Sequence, residues 1–439
     1  MTDMKDLELF KEAVVAYLDE DGYPVSYPSN FKIKDGFILV EKKFRISQGA
    51  MVTLTFNHIT PLPSGGYTDR RYVVVRGRVE SLDGSLKVSP DKIYGWDEKK
   101  TPFPEYCEIM VPQARRYANE LVSEHGKASG PKISLPSLLF RSTRFPFTIA
   151  TVVPVLIANT LAAYNGYFNP LLFILTLVGA VLIHLGLNMS NDYFDNKLGA
   201  DNINRTPTPF SGGSRIIQYG LLTPSAVAGM STLFYALGAA IGLYLAFSRG
   251  LIPILTIFAV GVLISIFYTA PPVKLAYRGF GEVAVGIGFG PVIVLGSYYV
   301  QAQELPISAF LASIPIGILI ALILYINQIP DIPYDSAAGK RTIVTRLSRD
   351  GVMKLYKALL ATTYGVIVTA IVMGQAPPTT AVALLTIPYA IKTVRKVGEN
   401  YGNPYMMIPA MGANIKLATW TGLLHAVGFA AAAVFNIFS

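Results

Sequence analysis

"LNMSNDYFDNKLGAD", residues 187–201, closes a long apolar run with two carboxylates and two carboxamides. Asn188, Asn191, Asp192 and Asp195 crowd into eight residues. The run before them, Leu171 to Leu187, holds one imidazole, His184, and no charge. Asn188 to Asp192 is an i, i+4 step and Asp192 to Asp195 an i, i+3 step, so a helix places them on one face. A greasy segment that ends in a knot of acids asks what cation meets them there.

The whole chain answers part of that question. Of 439 residues, 52% are hydrophobic and 15% charged, whereas soluble domains carry about 25% charged residues. Nine apolar stretches lie near 145–164, 170–189, 223–247, 251–270, 281–301, 305–328, 354–374, 379–395 and 416–437. Each has roughly the 17–25 residues needed to cross a bilayer. A water-soluble bundle would instead show a polar stripe on every helix. Loops after the even spans carry twelve cations: Lys197, Arg205, Arg215, Lys274, Arg278, Lys340, Arg341, Arg346, Arg349, Lys392, Arg395 and Lys396. Loops after the odd spans carry only Arg249. This asymmetry predicts a multi-pass cell-membrane protein with its N-terminal region and even loops cytoplasmic and its C-terminus outside. The net charge of +9 therefore reads as lipid orientation, with no nucleic-acid partner. One cysteine, Cys107, excludes an internal disulfide and a Cys-based zinc site. The opening MTDMKDLELFKEAVV is too acidic and too weakly apolar for a signal peptide.

Residues 1–126 read differently. "AVVAYL" (13–18) is a short β-type run, "DEDG" (19–22) a turn, and "YPVSYPS" a second strand. "FKIKDGFILVE" (31–41) alternates around Asp35-Gly36, a hairpin signal. "AMVTLTF" (50–56) and "RRYVVVRGRVESL" (70–82) add two strands, and 104–126 turns to helical spacing. The expectation is a small soluble β-barrel with a helical flank, then a basic linker at 127–144 and a nine-helix, all-α membrane domain at 145–439.

A second acid set ends the sixth span: "YINQIPDIPYDSAAGKRT", 325–342, with Asp331 and Asp335 at i, i+4. Spans two and six are four apart, which suggests two related halves. Two facing acid sets in a partly dry cavity are unfavourable unless cations enter. Mg2+ prefers oxygen ligands and commonly joins one or two carboxylates to phosphate oxygens. The expectation is a metal-bridged diphosphate site at the mouth of an apolar cavity that holds the diphosphate's tail. Cations accompany the acids: Arg215 after the Gly-rich turn of "PFSGGSRIIQYG" (209–220), Lys274 and Arg278 in "YTAPPVKLAYRGFGE", Lys340 and Arg341 in "GKRT". Such cations would stabilise a departing diphosphate, and each is equally a positive-inside marker. His184 and His425 read as packed or hydrogen-bonded groups within spans, and His58 as a surface or barrel residue.

At these residues the chain resembles the UbiA superfamily of membrane prenyltransferases, over about 145–439. Its Asn-x-x-x-Asp-x-x-(x)-Asp motif falls on Asn188, Asp192 and Asp195, and its Asp-x-x-x-Asp motif on Asp331 and Asp335. The resemblance implies that these five residues bind Mg2+ and carry catalysis, with Arg215, Lys274, Lys340 and Arg341 on the diphosphate. "PFSGGSRIIQYGLLTP" and "DSAAGKRTIVTRL" look closest to the 1,4-dihydroxy-2-naphthoate polyprenyltransferase branch, which serves menaquinone-type biosynthesis. "NRTPTP" (204–209) departs from the "NRP-x-RP" loop of other branches by lacking the second arginine. The implied reaction moves a polyprenyl group from its diphosphate to an aromatic acceptor, through an allylic cation. Tyr268 is either a π shield for that cation or a plain interfacial aromatic.

The N-terminal region, at "AVVAYLDEDGYPVSYPSNF" and "YVVVRGRVESL", resembles FMN-binding split barrels of the pyridoxamine-phosphate-oxidase type. Some of these bind FMN or a related flavin and some bind nothing. Other readings stay open: a related enzyme with another acceptor, such as an ether-lipid glycerol phosphate or a different aromatic, a cation-coupled transporter, or a membrane part that only anchors the barrel. Transporter acids sit near the midplane, whereas both sets here sit at span ends.

Overall fold

The computed structural model describes residues 4–61, 67–81, 85–125, 134–199 and 208–438. The chain forms two compact units, Met1–Tyr106 and Cys107–Ser439.

The first unit is a single antiparallel sheet of seven strands. They are β1 (Ala13–Leu18), β2 (Pro24–Ser29), β3 (Phe31–Lys34), β4 (Phe37–Glu41), β5 (Met51–Pro61), β6 (Tyr67–Ser81) and β7 (Ser85–Asp97), in spatial order 2-1-5-6-7-4-3. Period-two alternation puts Val15, Leu54, Phe56, Val73, Val75, Leu86 and Val88 into one buried core, as a one-sided sheet requires. The expected barrel is a curled half-barrel, with β2 and β3 as its two edges. Side chains partly bridge the gap: Tyr27 Oη donates to the Glu41 carbonyl at 2.9 Å, and the Glu41 N–H donates to Ser29 Oγ at 2.9 Å. Strand β7 was not expected from the sequence. Pro90 interrupts its pattern, and Pro lacks the N–H a ladder needs. The structure accommodates it at a bulge, where Pro90 pairs with Gly77. A Cβ at Gly77 would stand 2.1 Å from the Ser89 carbonyl oxygen, so only glycine fits there.

Helix α1 (Phe103–His125) starts in the first unit and continues into the second. The second unit then runs through α2 (Leu135–Ser142), α3 (Ile149–Tyr164), α4 (Pro170–Lys197), α5 (Pro224–Arg249) and α6 (Leu251–Phe267). It continues with α7 (Gly281–Ala302), α8 (Ile307–Asn327), α9 (Ile332–Ala337), α10 (Ile343–Arg346), α11 (Arg349–Val372), α12 (Ile387–Asn400) and α13 (Ile408–Phe438). Among the described residues seven helices are long and apolar enough to cross a bilayer, two fewer than the nine expected. The fourth stretch falls short because α6 has only 17 residues. The eighth is split into a 3-10 segment, Pro378–Thr386, and α12, whose middle carries Lys392, Arg395 and Lys396. The stretch read as a linker includes α2, and the Ser142 and Thr143 that follow its start are buried.

Local sequence sets where the site-bearing helices begin. Asn169 caps α4 by accepting from the N–H groups of Leu171 and Leu172, with Pro170 in the first turn, where a missing N–H costs nothing. Because α4 is 28 residues long, it runs past the apolar stretch and carries its acids on the same rod. Small residues let helices approach, as lipid-embedded packing requires. Ser231 of α5 donates to the Gly186 carbonyl of α4 at 2.8 Å. In α8, a Cβ at Gly317 would lie 2.6 Å from the Gly286 carbonyl oxygen of α7. Replacing Gly317 by Val is therefore expected to destabilise the fold by about 1–3 kcal/mol through overpacking. Thermal unfolding in detergent would read this as a lower midpoint.

Candidate functional site

The C-terminal end of α4 supplies the first half of the site. Asp192 is buried, and its Oδ1 accepts from the Arg144 guanidinium and, at 3.3 Å, from the Ser214 N–H. The Gly-rich turn expected to face an anion thus faces this carboxylate. Asp195 is buried too. Tyr277 Oη donates to its Oδ1 at 2.7 Å, and Asn191 Nδ2 donates to its Oδ2 at 3.0 Å. The same Asn191 amide donates to Thr269 Oγ1 at 2.8 Å. Asn188 uses its amide N–H on the Thr143 carbonyl, 2.9 Å away, which leaves its Oδ1 as an acceptor.

The second half comes from the turn after α8. Asp331 is the N-cap residue of α9, Asp335 lies one turn on, and both are buried. The Lys340 N–H donates to the Asp335 carbonyl at 2.8 Å, and the Arg341 N–H to the Tyr277 carbonyl at 3.0 Å. The second bond docks the "GKRT" loop on the 275–278 turn. Lys340 Nζ then lies 3.5 Å from Asp195 Oδ2 and 3.8 Å from Asp335 Oδ1. The two carboxylate oxygens are therefore no more than 7.3 Å apart, although 140 residues of chain separate them.

The cations hold unusual backbones. Arg144, Arg215 and Lys274 all have left-handed φ, at 49°, 60° and 50°. Non-glycine residues adopt this region at a cost and cluster there at functional sites. Arg215 is buried, and Lys274 Nζ lies 5.7 Å from the Tyr277 ring centroid. Arg341 is exposed and brings its backbone, not its guanidinium, to the cluster. Residues 204–207 of "NRTPTP", with Arg205, lie outside the described residues.

Below the acids lies an apolar cavity between α4, α5, α6 and α7. Ile183, Leu187, Ile241, Phe258, Ile264 and Phe289 line it, and Tyr268 and His184 stand on its wall. Tyr268 adjoins Thr269, the partner of Asn191, so the cavity opens under the acid cluster. His184 is hydrogen-bonded to Thr151, as expected of a packed histidine. His425 is buried, and His58 pairs with Asp69 on the sheet.

The residues fit a divalent cation in one specific way. Among the described residues no three of His, Cys, Asp and Glu form a ready-made metal site. Several buried oxygens nevertheless have no hydrogen-bond donor among those residues: Asp192 Oδ2, Asn327 Oδ1, Gln328 Oε1 and Glu282 Oε2. Buried unpaired acceptors are unfavourable and would be satisfied by a cation. Mg2+ usually completes its shell with water and substrate phosphates instead of an all-protein cage, and paired carboxylates with orphan oxygens suit that mode.

Burial raises the Asp335 carboxyl above its ordinary 3.8, against the pull of Lys340 and with the repulsion of Asp195. Burial also depresses the Lys340 ammonium, but Asp195 and Asp335 outweigh it and hold Lys340 well above its usual range. Lys340 is therefore charged at neutral pH. A carboxyl with a raised folded pKa stabilises the fold below its unfolded value, and that contribution is lost as pH rises through the folded value. Acidification is thus expected to stabilise the metal-free chain through Asp335. It should also inhibit turnover from a pH above the normal carboxylate range, because protons compete with the cation. Rates measured against pH should show the acid limb moving to lower pH as Mg2+ is raised.

Four residues of the site were not picked out by sequence reasoning: Arg144, Thr269, Tyr277 and the Ser214 N–H. Arg144 ends the stretch that reads as a linker, and Tyr277 stands between the two cations of "VKLAYRG" without a pattern of its own. Only the fold brings them to the acids.

Apolar helices gathered around an acid-rich mouth define this chain as an integral membrane protein with a polar site at one end of its bundle. Residues 151–402 match the UbiA prenyltransferase family. The chain is 30% identical over 310 residues to the 1,4-dihydroxy-2-naphthoate octaprenyltransferase of Bacillus subtilis, covering 71% of this chain and 97% of that protein. It is 25% identical over 286 residues to the 2-carboxy-1,4-naphthoquinone phytyltransferase of Synechocystis, covering 65% of this chain and 90% of that one. A solved UbiA homolog from Archaeoglobus fulgidus, bound to DMAPP and Mg2+, matches at 14% identity and a TM-score of 0.49, covering 66% of this chain and 99% of that one. That likeness adds nothing to the assignment, which rests on sequence. The chain belongs to the UbiA prenyltransferase family, and it is an enzyme, a membrane prenyltransferase.

Proposed function

We propose that this enzyme transfers a polyprenyl group from its diphosphate to a naphthoate-type aromatic ring, with Mg2+, as a step toward a menaquinone-type quinone. The observation that carries the reading is the convergence of Asp195 and Asp335 on Lys340 above an apolar cavity. Two relatives that act on naphthalene rings support a naphthoate-type acceptor. Asn188, Asp192, Asp195, Asp331 and Asp335 would hold the ion, which when bound neutralises charge on the diphosphate oxygens.

The chain's own residues do the remaining work. Lys340, with Arg215 and Lys274 nearby, places positive charge where the diphosphate leaves. Arg341 contributes through its backbone, whose N–H docks the loop on the Tyr277 carbonyl. Tyr277 and Asn191 fix the Asp195 carboxylate by hydrogen bonds to both of its oxygens. The apolar wall takes the prenyl tail and keeps water from the allylic cation. Tyr268 presents an electron-rich ring on that wall, where a cation–π contact would favour the cation.

Nine spans, with α6 and the 378–400 segment as the two short ones, belong to the same reading. So do the cytoplasmic placement of the site and the N-terminal region, the outward C-terminus, and the division at 126 and 144. No flavin step is part of this function. The test is to give purified chain geranylgeranyl diphosphate, Mg2+ and a panel of aromatic acceptors, and to identify products by mass. A prenylated naphthalene product, lost on chelation, is expected. Transfer only to a non-naphthalene ring, or transfer that ignores chelation, overturns the proposal.

A further inference from the structure

His184 is the one imidazole on the cavity wall, and the reaction as described gives it no task. It is 6% exposed and stands one helical turn before Asn188 on α4. With a rise of about 1.5 Å per residue, its Cα lies about 6 Å below that of Asn188 and about 12 Å below that of Asp192 along the helix axis.

The imidazole is held from two sides. Thr151 of α3 shares a 2.7 Å hydrogen bond with Nδ1. Phe289 of α7 packs edge-on against the ring, with centroids 4.8 Å apart and planes at 65°. Nε2, by contrast, has no hydrogen-bond partner among the described residues, and the ring lines the cavity. Two other polar groups on this wall are engaged: Thr176 donates to the Leu172 carbonyl at 2.8 Å, and Ser265 pairs with Tyr235 Oη at 2.6 Å. A ring fixed from two sides with one nitrogen free of protein partners is how a site selects a hydroxylated ligand.

We propose that His184 binds the aromatic acceptor, its Nε2 hydrogen-bonding a ring hydroxyl and so deciding which ring carbon faces the allylic carbon. This rests on the prenyl-transfer function above and assigns its acceptor pocket. Thr151 is the positioning residue that sets the imidazole's tautomer and plane.

The experiment uses the full chain in detergent, with geranylgeranyl diphosphate and Mg2+. Initial rates are measured with each substrate varied against saturation of the other, for the wild-type chain, H184L, H184Q and T151V. Loss of one hydrogen bond to a ring hydroxyl should raise the acceptor KM of H184L about tenfold and leave the donor KM unchanged. H184Q, which keeps a polar group there, should recover most of the loss, and T151V should fall between. An acceptor analogue lacking the ring hydroxyl should lose the same factor with the wild-type chain and lose little more with H184L. An unchanged acceptor KM in H184L, or equal rises in both KM values in H184L and H184Q, overturns the assignment. Absence of prenyl transfer to any hydroxylated ring by the wild-type chain would instead sink the function it rests on.

Discussion

An Asp192→Asn chain is expected to keep its fold and lose prenyl transfer by about a thousandfold, the scale of removing one decisive charge-stabilising group from an active site. Asp192 Oδ1 accepts from Arg144 and Ser214, and a carboxamide oxygen at the same place can still accept from both. The packing around a buried residue is thus preserved. What the substitution removes is the negative charge behind Oδ2, the oxygen that has no donor among the described residues. If that oxygen serves a cation, the charge is needed for turnover and not for folding. Rates by product mass, beside a thermal unfolding midpoint, separate the two. A variant of wild-type rate would remove Asp192 from the site, and one that fails to fold would recast its pair with Arg144 as structural.

The second large effect is expected at Lys340. Its ammonium stands between Asp195 and Asp335, so without Mg2+ it is the charge that lets both carboxylates stay buried. Lys340→Met leaves two like charges within 7.3 Å of each other, and unpaired buried charge is strongly unfavourable. The metal-free variant should unfold at a lower temperature than the wild-type chain. Added Mg2+ should raise that temperature more in the variant, because an ion that binds only the folded state stabilises it by mass action. Turnover should still fall about a hundredfold, since the cation facing the departing diphosphate is gone. Equal Mg2+ stabilisation of both chains would separate Lys340 from the cation site.

Much of this arrangement is legible in the sequence, for a physical reason. Helical periodicity is local, so Asn188, Asp192 and Asp195 declare a shared face without knowledge of the fold, as do Asp331 and Asp335. Apolar length is local too, and each of the nine stretches is helical in its described core. Length alone does not show continuity: the 379–395 stretch is divided between a 3-10 segment, Pro378–Thr386, and α12. Strand β7 is obscured by Pro90, which a central strand tolerates only because Gly77 opposite makes room for a bulge. Tyr277 and Arg144 are illegible for another reason. Each acts by reaching an acid 82 or 48 positions away, and neither sits in a pattern that marks it. Lys340 and Arg341 are neighbours that read alike as diphosphate cations. The fold separates them, because the 275–278 turn takes the Arg341 backbone while the Lys340 side chain reaches the acids.

The proposed function requires that acids from α4 and from the turn after α8 grip one ion-bound diphosphate. Mn2+ in place of Mg2+ makes this measurable by electron paramagnetic resonance, as free Mn2+ remaining when the purified chain is titrated with an unreactive prenyl diphosphate analogue present. Wild-type chain should bind Mn2+ only with the analogue, and Asp192→Asn and Asp335→Asn should each weaken that binding at least tenfold. Binding that survives either substitution unchanged would contradict the account.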